Sequence, residues 1–157
     1  MKTRGVEGVN LITKILVAID GSEHADKALG FALDLAEKYS ATITLVNVFQ
    51  VPMFGYLGEP FAYPALLAEF TNEVKRMHEQ ILSKALKKAK ELKPNLKIST
   101  VLEEGRPSDK IVETAKEGNF DLIVMGHRGL GRVKEFFLGS VSDRVADEAH
   151  CPLLIVK

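Results

Sequence analysis

The chain has 157 residues, 46% of them apolar, with 21 basic side chains balanced by 21 acidic ones and a single cysteine. That length suits one domain with one core, and the balanced charge leaves no summed field to draw nucleic acid or an acidic membrane surface. The lone Cys151 excludes an internal disulfide and a cysteine-built zinc site, which favours a reducing, cytoplasmic setting.

Residues 1–10 are polar and glycine-containing and read as a short N-terminal arm, with the folded domain spanning 11–157. No apolar run reaches the roughly 20 residues that a membrane helix needs, and residues 1–13 lack the apolar centre of a secretory signal. Within 11–20 lies the run Ile15, Leu16, Val17, Ala18, Ile19, the pattern of a strand buried on both faces of a parallel sheet. It ends at Asp20, Gly21 and Ser22. Ser22 predicts an N-cap, because Ala25, Ala28, Leu29, Ala32, Leu35, Ala36 and Tyr39 follow at helical spacing. Residues 42–49, rich in β-branched side chains, form a second strand and lead into a Pro/Gly/aromatic loop over 51–64.

Pro64 suits the first turn of the longest helix, whose stripe Leu67, Phe70, Val74, Met77, Ile81, Ala85, Ala89 and Leu92 reads as core until Pro94 stops it. Residues 96–102 alternate as a third strand. Pro107, Ser108 and Asp109 open a helix carrying Ile111, Val112 and Ala115, and 120–125 is a fourth, buried strand. A helix from Ser140 to about Ala149 and a last strand, Leu153–Val156, complete the pattern.

Strand and helix alternate throughout, which predicts an α/β fold: a single-domain, open, five-stranded parallel sheet with helices on both faces and right-handed crossovers. Ligands of such sheets bind beyond the carboxyl ends of strands where the strand order reverses. Here that point lies between the ends of the first and fourth strands, at Asp20 and Gly126.

The run Gly126, His127, Arg128, Gly129, followed after nine residues by Gly139 and Ser140, combines permissive backbone with a helix start. Unpaired N–H groups and the positive end of the helix dipole make such a place a cradle for phosphate. Two better-known phosphate loops do not match. A dinucleotide fingerprint would place G-x-G-x-x-G after the first strand, where Asp20, Gly21, Ser22, Glu23 and His24 stand. A Walker A loop in the frame beginning at Gly126 would have Arg132 for its lysine and Val133 for its hydroxyl.

What remains, G-x-x-G, nine residues, G-S, between the fourth strand and the last helix, resembles the universal stress protein family in its ATP-binding branch. The resemblance covers nearly the whole chain, including the first strand ending in Asp20, the second ending in Leu45, Val46, Asn47 and Val48, and the stretch through Leu138, Gly139, Ser140, Val141 and Ser142. It implies a Rossmann-like sheet of the adenine-nucleotide alpha-hydrolase-like type with strand order 3-2-1-4-5. It also implies that Asp20 and the backbone of Ala18 and Ile19 lie near the adenosine, that Val48 contacts the adenine, and that Met125 and Gly126 pass under the nucleoside. His127, Arg128, Gly129, Leu130, Gly131 and Arg132 would wrap the phosphates. Gly139, Ser140, Val141 and Ser142 would give them N–H and hydroxyl donors. Any Mg2+ would be held mainly by the phosphates.

Two positions depart from a commoner family pattern. Asn47 stands where many relatives carry histidine, which alters packing or a ribose-side hydrogen bond, and His127 replaces a serine-like residue, where its imidazole either adds a titratable donor or points to water. Asp20 has two readings, helix cap and ribose acceptor, and one carboxylate can serve both. Arg128, Arg132 and Lys134 form a small positive cluster, of which one or two are expected to touch phosphate. His24, His78 and His150 show no metal-binding spacing and read as surface residues, and Cys151 reads as a buried, inert thiol.

No G-x-S-x-G elbow, H-x-G-H pair or S-G-G-x-D-S loop is present to suggest a hydrolase, adenylating or pyrophosphatase activity. The leading expectation is a cytoplasmic ATP-binding protein of the stress response in which nucleotide is a stabilising and conformational ligand. A slow ATPase or phosphotransfer enzyme on the same site is the alternative, and a nucleotide-independent dimeric scaffold is the third. The apolar strand Leu153–Val156 is a poor exposed edge, so a homodimer paired through it is expected, and the family resemblance implies the same.

Overall fold

The apolar run beginning near Ile15 forms β1 (Lys14–Ala18), in which Ile15, Leu16 and Val17 are fully buried, as a strand covered on both faces must be. This computed structural model describes residues 11–51, 64–130 and 138–157, so the arm at 1–10 and most of the 51–64 loop lie outside the described residues. After β1 the chain turns at Gly21, whose φ of +84° favours glycine. It then enters α1 (Glu23–Tyr39), capped by Ser22, whose hydroxyl accepts the Ala25 N–H. Ser40 ends this helix in the left-handed conformation.

The chain continues through β2 (Thr42–Phe49), α2 (Pro64–Leu92), β3 (Ile98–Glu104), α3 (Pro107–Glu117), β4 (Leu122–Gly126), α4 (Ser140–Glu148) and β5 (Leu153–Val156). All pairings are parallel, and the order is β3-β2-β1-β4-β5. β1 is therefore central. Ile15 lies level with Ile43 on one side and with Leu122 on the other.

Alternation along the strands divides the core between two layers. Ile15, Val17, Ile43 and Leu45 pack against Leu29, Leu33 and Leu82, whereas Leu16, Val46 and Ile123 pack with Ile111, Ala115 and Val145. α1 and α2 thus cover one face, and α3 and α4 the other. At the amino ends of the strands, Asp121 Oδ2 accepts the Thr13 N–H at 2.9 Å, the Thr13 hydroxyl at 2.7 Å and the Lys14 N–H at 3.0 Å. These bonds tie the start of β1 to β4.

One expectation is corrected. The stripe read along α2 is core only from Ile81 to Ala89, where Ile81 is partly buried, Ala85 and Ala89 are buried, and Leu82 joins them. Leu67, Phe70, Met77 and Leu92 are exposed, Met77 at 57%. The reason is length: a helix of 29 residues runs about 44 Å, whereas the eight residues of β2 span about 26 Å. The helix outruns the sheet that it covers.

Candidate functional site

β1 and β4 are neighbours, but their outgoing chains turn to opposite faces, β1 into α1 and β4 toward α4. The separation opens a cleft of about 230 Å³ at the carboxyl end of the sheet. Ala18, Ile19 and Asp20 line it from β1, Val48 from β2, Met125 and Gly126 from β4, and Arg128, Gly129 and Leu130 from the segment after β4. Gly139, Ser140, Val141 and Ser142 close it from the start of α4. Residues far apart in the chain thus meet at one place. Gly131, Arg132 and Lys134 lie outside the described residues.

The packing explains why glycines stand here. A Cβ on Gly126 would come within 2.7 Å of His24 Cβ and 2.8 Å of the His24 carbonyl carbon, so α1 lies directly against the end of β4. A Cβ on Gly129 would run into Asp20 Oδ2, so the segment after β4 lies against the carboxylate that ends β1. The other oxygen, Asp20 Oδ1, accepts the Ser22 N–H at 2.9 Å. Ser22 rather than Asp20 is the cap of α1; Asp20 forms the turn before it and directs Oδ2 toward Gly129.

Gly139 is the N-cap of α4, and among the described residues no side chain caps this helix. Its first-turn N–H groups and the positive end of its dipole belong to a cleft-lining segment. The Gly139 N–H donates to the His127 carbonyl at 2.8 Å, and that carbonyl also lies 2.9 Å from the Ser142 hydroxyl, which is equally close to the Gly139 carbonyl. Ser142 is 2% exposed, so its hydroxyl fastens the loop to the helix and is not offered to a ligand. Its backbone N–H remains in the cleft-lining turn.

His127 departs from the expected placement. Its main chain joins β4 to β5 through an N–H bond of 2.8 Å to the Val156 carbonyl, and its Nδ1 lies 3.2 Å from the same oxygen. The ring packs edge-to-face on His24 with 4.3 Å between centroids, and His127 is absent from the cleft lining. The imidazole is thus engaged by His24 and the β5 main chain beside the cleft. Burial lowers its pKa, as do the positive fields of His24, Arg128 and Lys157, against the raising effect of the Val156 carbonyl.

His24 and His78 are corrected in the same way: both are half-buried and engaged, not surface residues. His78 stands 5.8 Å from the Phe49 ring and its Nδ1 lies 2.6 Å from Asn47 Oδ1, while burial lowers its pKa. Asn47 turns its Nδ2 to the Ile19 carbonyl at 2.6 Å, a main-chain contact where packing or a ribose-side bond was expected. His150 is exposed, as expected. Cys151 is half-buried rather than buried, and burial raises its thiol pKa, which disfavours the thiolate.

Four lining residues escape the sequence reading: Ala25, Val46, Pro107 and Ile111. Val46 precedes Val48 by two and so shares its face of β2, a signal present in the strand period. Pro107 and Ile111 enter because β3 delivers the start of α3 to the same end of the sheet, and that follows only from strand order. With Ala18, Val48 and Met125 they make one side of the cleft apolar. A flat heteroaromatic base suits such a slot, and an anion suits the uncapped helix start opposite. Among the described residues no cluster of three or more His, Cys, Asp or Glu is arranged to hold a metal ion, and no helix is long and apolar enough to cross a membrane.

A model described as the universal stress protein family matches residues 12–157. The universal stress protein YxiE of Bacillus subtilis is 37% identical over 150 residues, which cover 94% of this chain and all of that one. Among solved structures, the universal stress protein UspA from Lactobacillus plantarum superposes with a TM-score of 0.79 at 23% identity, covering 93% of this chain and 98% of that chain. A universal stress protein solved in complex with cAMP superposes with a TM-score of 0.65 at 26% identity, covering 92% and 96%.

Proposed function

Since the chain belongs to the universal stress protein family, we propose that it binds an adenine nucleotide, ATP foremost, in the cleft between the ends of β1 and β4. The nucleotide serves as a stabilising and conformational ligand in the stress response, more than as fuel. The observation that carries this reading is the uncapped start of α4 facing the same cleft as Gly126, Arg128 and Gly129, with an apolar slot beside it. The polyphosphate would take the N–H groups of Ser140, Val141 and Ser142 and the segment after Gly126, and the base would lie against Val48, Ile111 and Met125. Asp20 Oδ2 would accept a ribose hydroxyl. Mg2+, where present, would be held by the phosphates, since its preferred ligands here are phosphate oxygens and water. The relative solved with cAMP supports an adenine ligand for this fold.

A ligand that binds the folded state alone stabilises it by about 2.7 kcal/mol at a hundred times its Kd. ATP should therefore raise the melting temperature of the purified protein, and mass spectrometry should find adenine nucleotide released from it. Gly129→Val, which forces carbon against Asp20 Oδ2, should weaken ATP binding at least about ten-fold while the protein stays folded. No released nucleotide together with no thermal shift would reject the reading. We further propose a cytoplasmic homodimer paired through β5, an edge strand with apolar Leu153, Leu154, Ile155 and Val156. Light scattering at micromolar concentration should give twice the chain mass, and a monomer would overturn the pairing.

A further inference from the structure

The described lining of the cleft comes from β1 and the turn after it, α1, β2, α3, β4 and the segment after it, and α4, and includes no residue of α2. α2 nevertheless reaches it through two hydrogen bonds. His78 Nδ1 lies 2.6 Å from Asn47 Oδ1, and Asn47 Nδ2 donates to the Ile19 carbonyl at 2.6 Å. A carbonyl can only accept, so the Asn47 amide nitrogen must face Ile19, which turns the amide oxygen toward α2 and places the His78 proton on Nδ1. Asn47 is 2% exposed, and losing either partner would strand a polar atom in the core.

The contact falls at a sensitive point of the backbone. The Ile19 carbonyl and the Asp20 N–H belong to one rigid peptide plane. The Ile19 N–H is already held by the Val46 carbonyl at 2.8 Å, and beyond Asp20 comes Gly21, the residue with the least conformational restraint. Asn47 anchors the plane between these two, immediately before the carboxylate that faces Gly129.

We infer that His78 is a positioning residue for the cleft: acting through Asn47, it holds the Ile19–Asp20 peptide and so sets the Asp20 carboxylate. α2 thereby takes part in ligand recognition without touching the ligand. Only the ligand half of this inference rests on the nucleotide reading; the positioning half concerns the free protein.

The Ser22 N–H, which donates to Asp20 Oδ1, reports directly on that carboxylate. Amide hydrogen exchange of the unliganded protein and calorimetric titration with ATP are compared for the wild type, His78→Phe and His78→Gln. Phenylalanine keeps the ring beside Phe49 and removes the donor. Ser22 should then exchange about five-fold faster and ATP should bind about five-fold more weakly, the cost of one internal hydrogen bond. The Thr13 and Lys14 amides at the far end of the sheet should be unchanged. Glutamine, which still donates, should restore both readouts toward wild type.

Ser22 exchange unchanged in His78→Phe overturns the inference. So does an equal acceleration at Thr13 and Ser22, because it marks a residue that merely supports the fold. Faster Ser22 exchange in a protein that takes up no ATP upholds the positioning role and rejects the nucleotide reading, whereas unchanged exchange with tight ATP binding does the reverse.

Discussion

At the amino end of the sheet Asp121 stands just before β4, and at the carboxyl end Asp20 stands just after β1; the two carboxylates thus mark opposite ends of the same neighbouring strands. Asp121 Oδ2 accepts three hydrogen bonds from Thr13 and Lys14, so its charge is spent on holding the strands together. Asp20 takes the Ser22 N–H on Oδ1 and turns Oδ2 toward Gly129, which has no side chain of its own. One carboxylate spends an oxygen on closing its end. The other keeps accepting capacity at the end where the chains diverge, which is the end at which open parallel sheets bind their ligands.

Alanine at each aspartate tests the contrast directly. Asp121→Ala removes the acceptor of three bonds and should cost about 2 kcal/mol, read as a fall of several degrees in Tm, with ATP affinity within about two-fold of wild type. Asp20→Ala should cost less than about 1 kcal/mol in stability but weaken ATP about ten-fold by calorimetry. The opposite pattern, with Asp121 controlling affinity and Asp20 stability, would break the distinction.

A smaller effect concerns acid. Burial lowers the pKa of both His78 and His127, so the folded protein takes up protons on these imidazoles at lower pH than the unfolded chain does. As pH falls below the unfolded value of about 6.5 the unfolded state binds more protons, and stability declines until the folded pKa values are passed. Thermal melts at about pH 7 and pH 5 should show this decline in wild type and a reduced one when His78→Phe and His127→Phe are combined. An identical decline in that double variant would assign the acid sensitivity elsewhere.

The elements themselves were legible because each carries a local signal. Ser22 announces α1, the β-branched run from Thr42 gives β2, and Pro107 opens α3. Gly126, Gly129 and Gly139, which meet at one cleft, were legible as a group because their spacing combines permissive backbone with a helix start. The directions of side chains were not. His127 sits within that pattern, yet its ring turns to His24 and Val156, since the residue after a strand end can face either layer. His78 looked like one polar residue on a long helix. Its partner Asn47 lies 31 positions away, on a strand that only the folded sheet sets beside it. The exposed Leu67, Phe70 and Met77 mislead for a related reason: helical periodicity identifies a face, but says nothing of whether the sheet extends far enough to cover it.

The order β3-β2-β1-β4-β5 also bears on how the chain assembles. During synthesis β1, β2 and β3 emerge first and can pair at once, whereas the other side of β1 waits for β4, with Ile15 finding its level only when Leu122 arrives. Until then the central strand of the finished sheet is an edge. Ile15, Leu16 and Val17, which end as its most deeply buried residues, are in that interval an apolar ribbon with unpaired N–H and C=O groups, open to any other strand nearby.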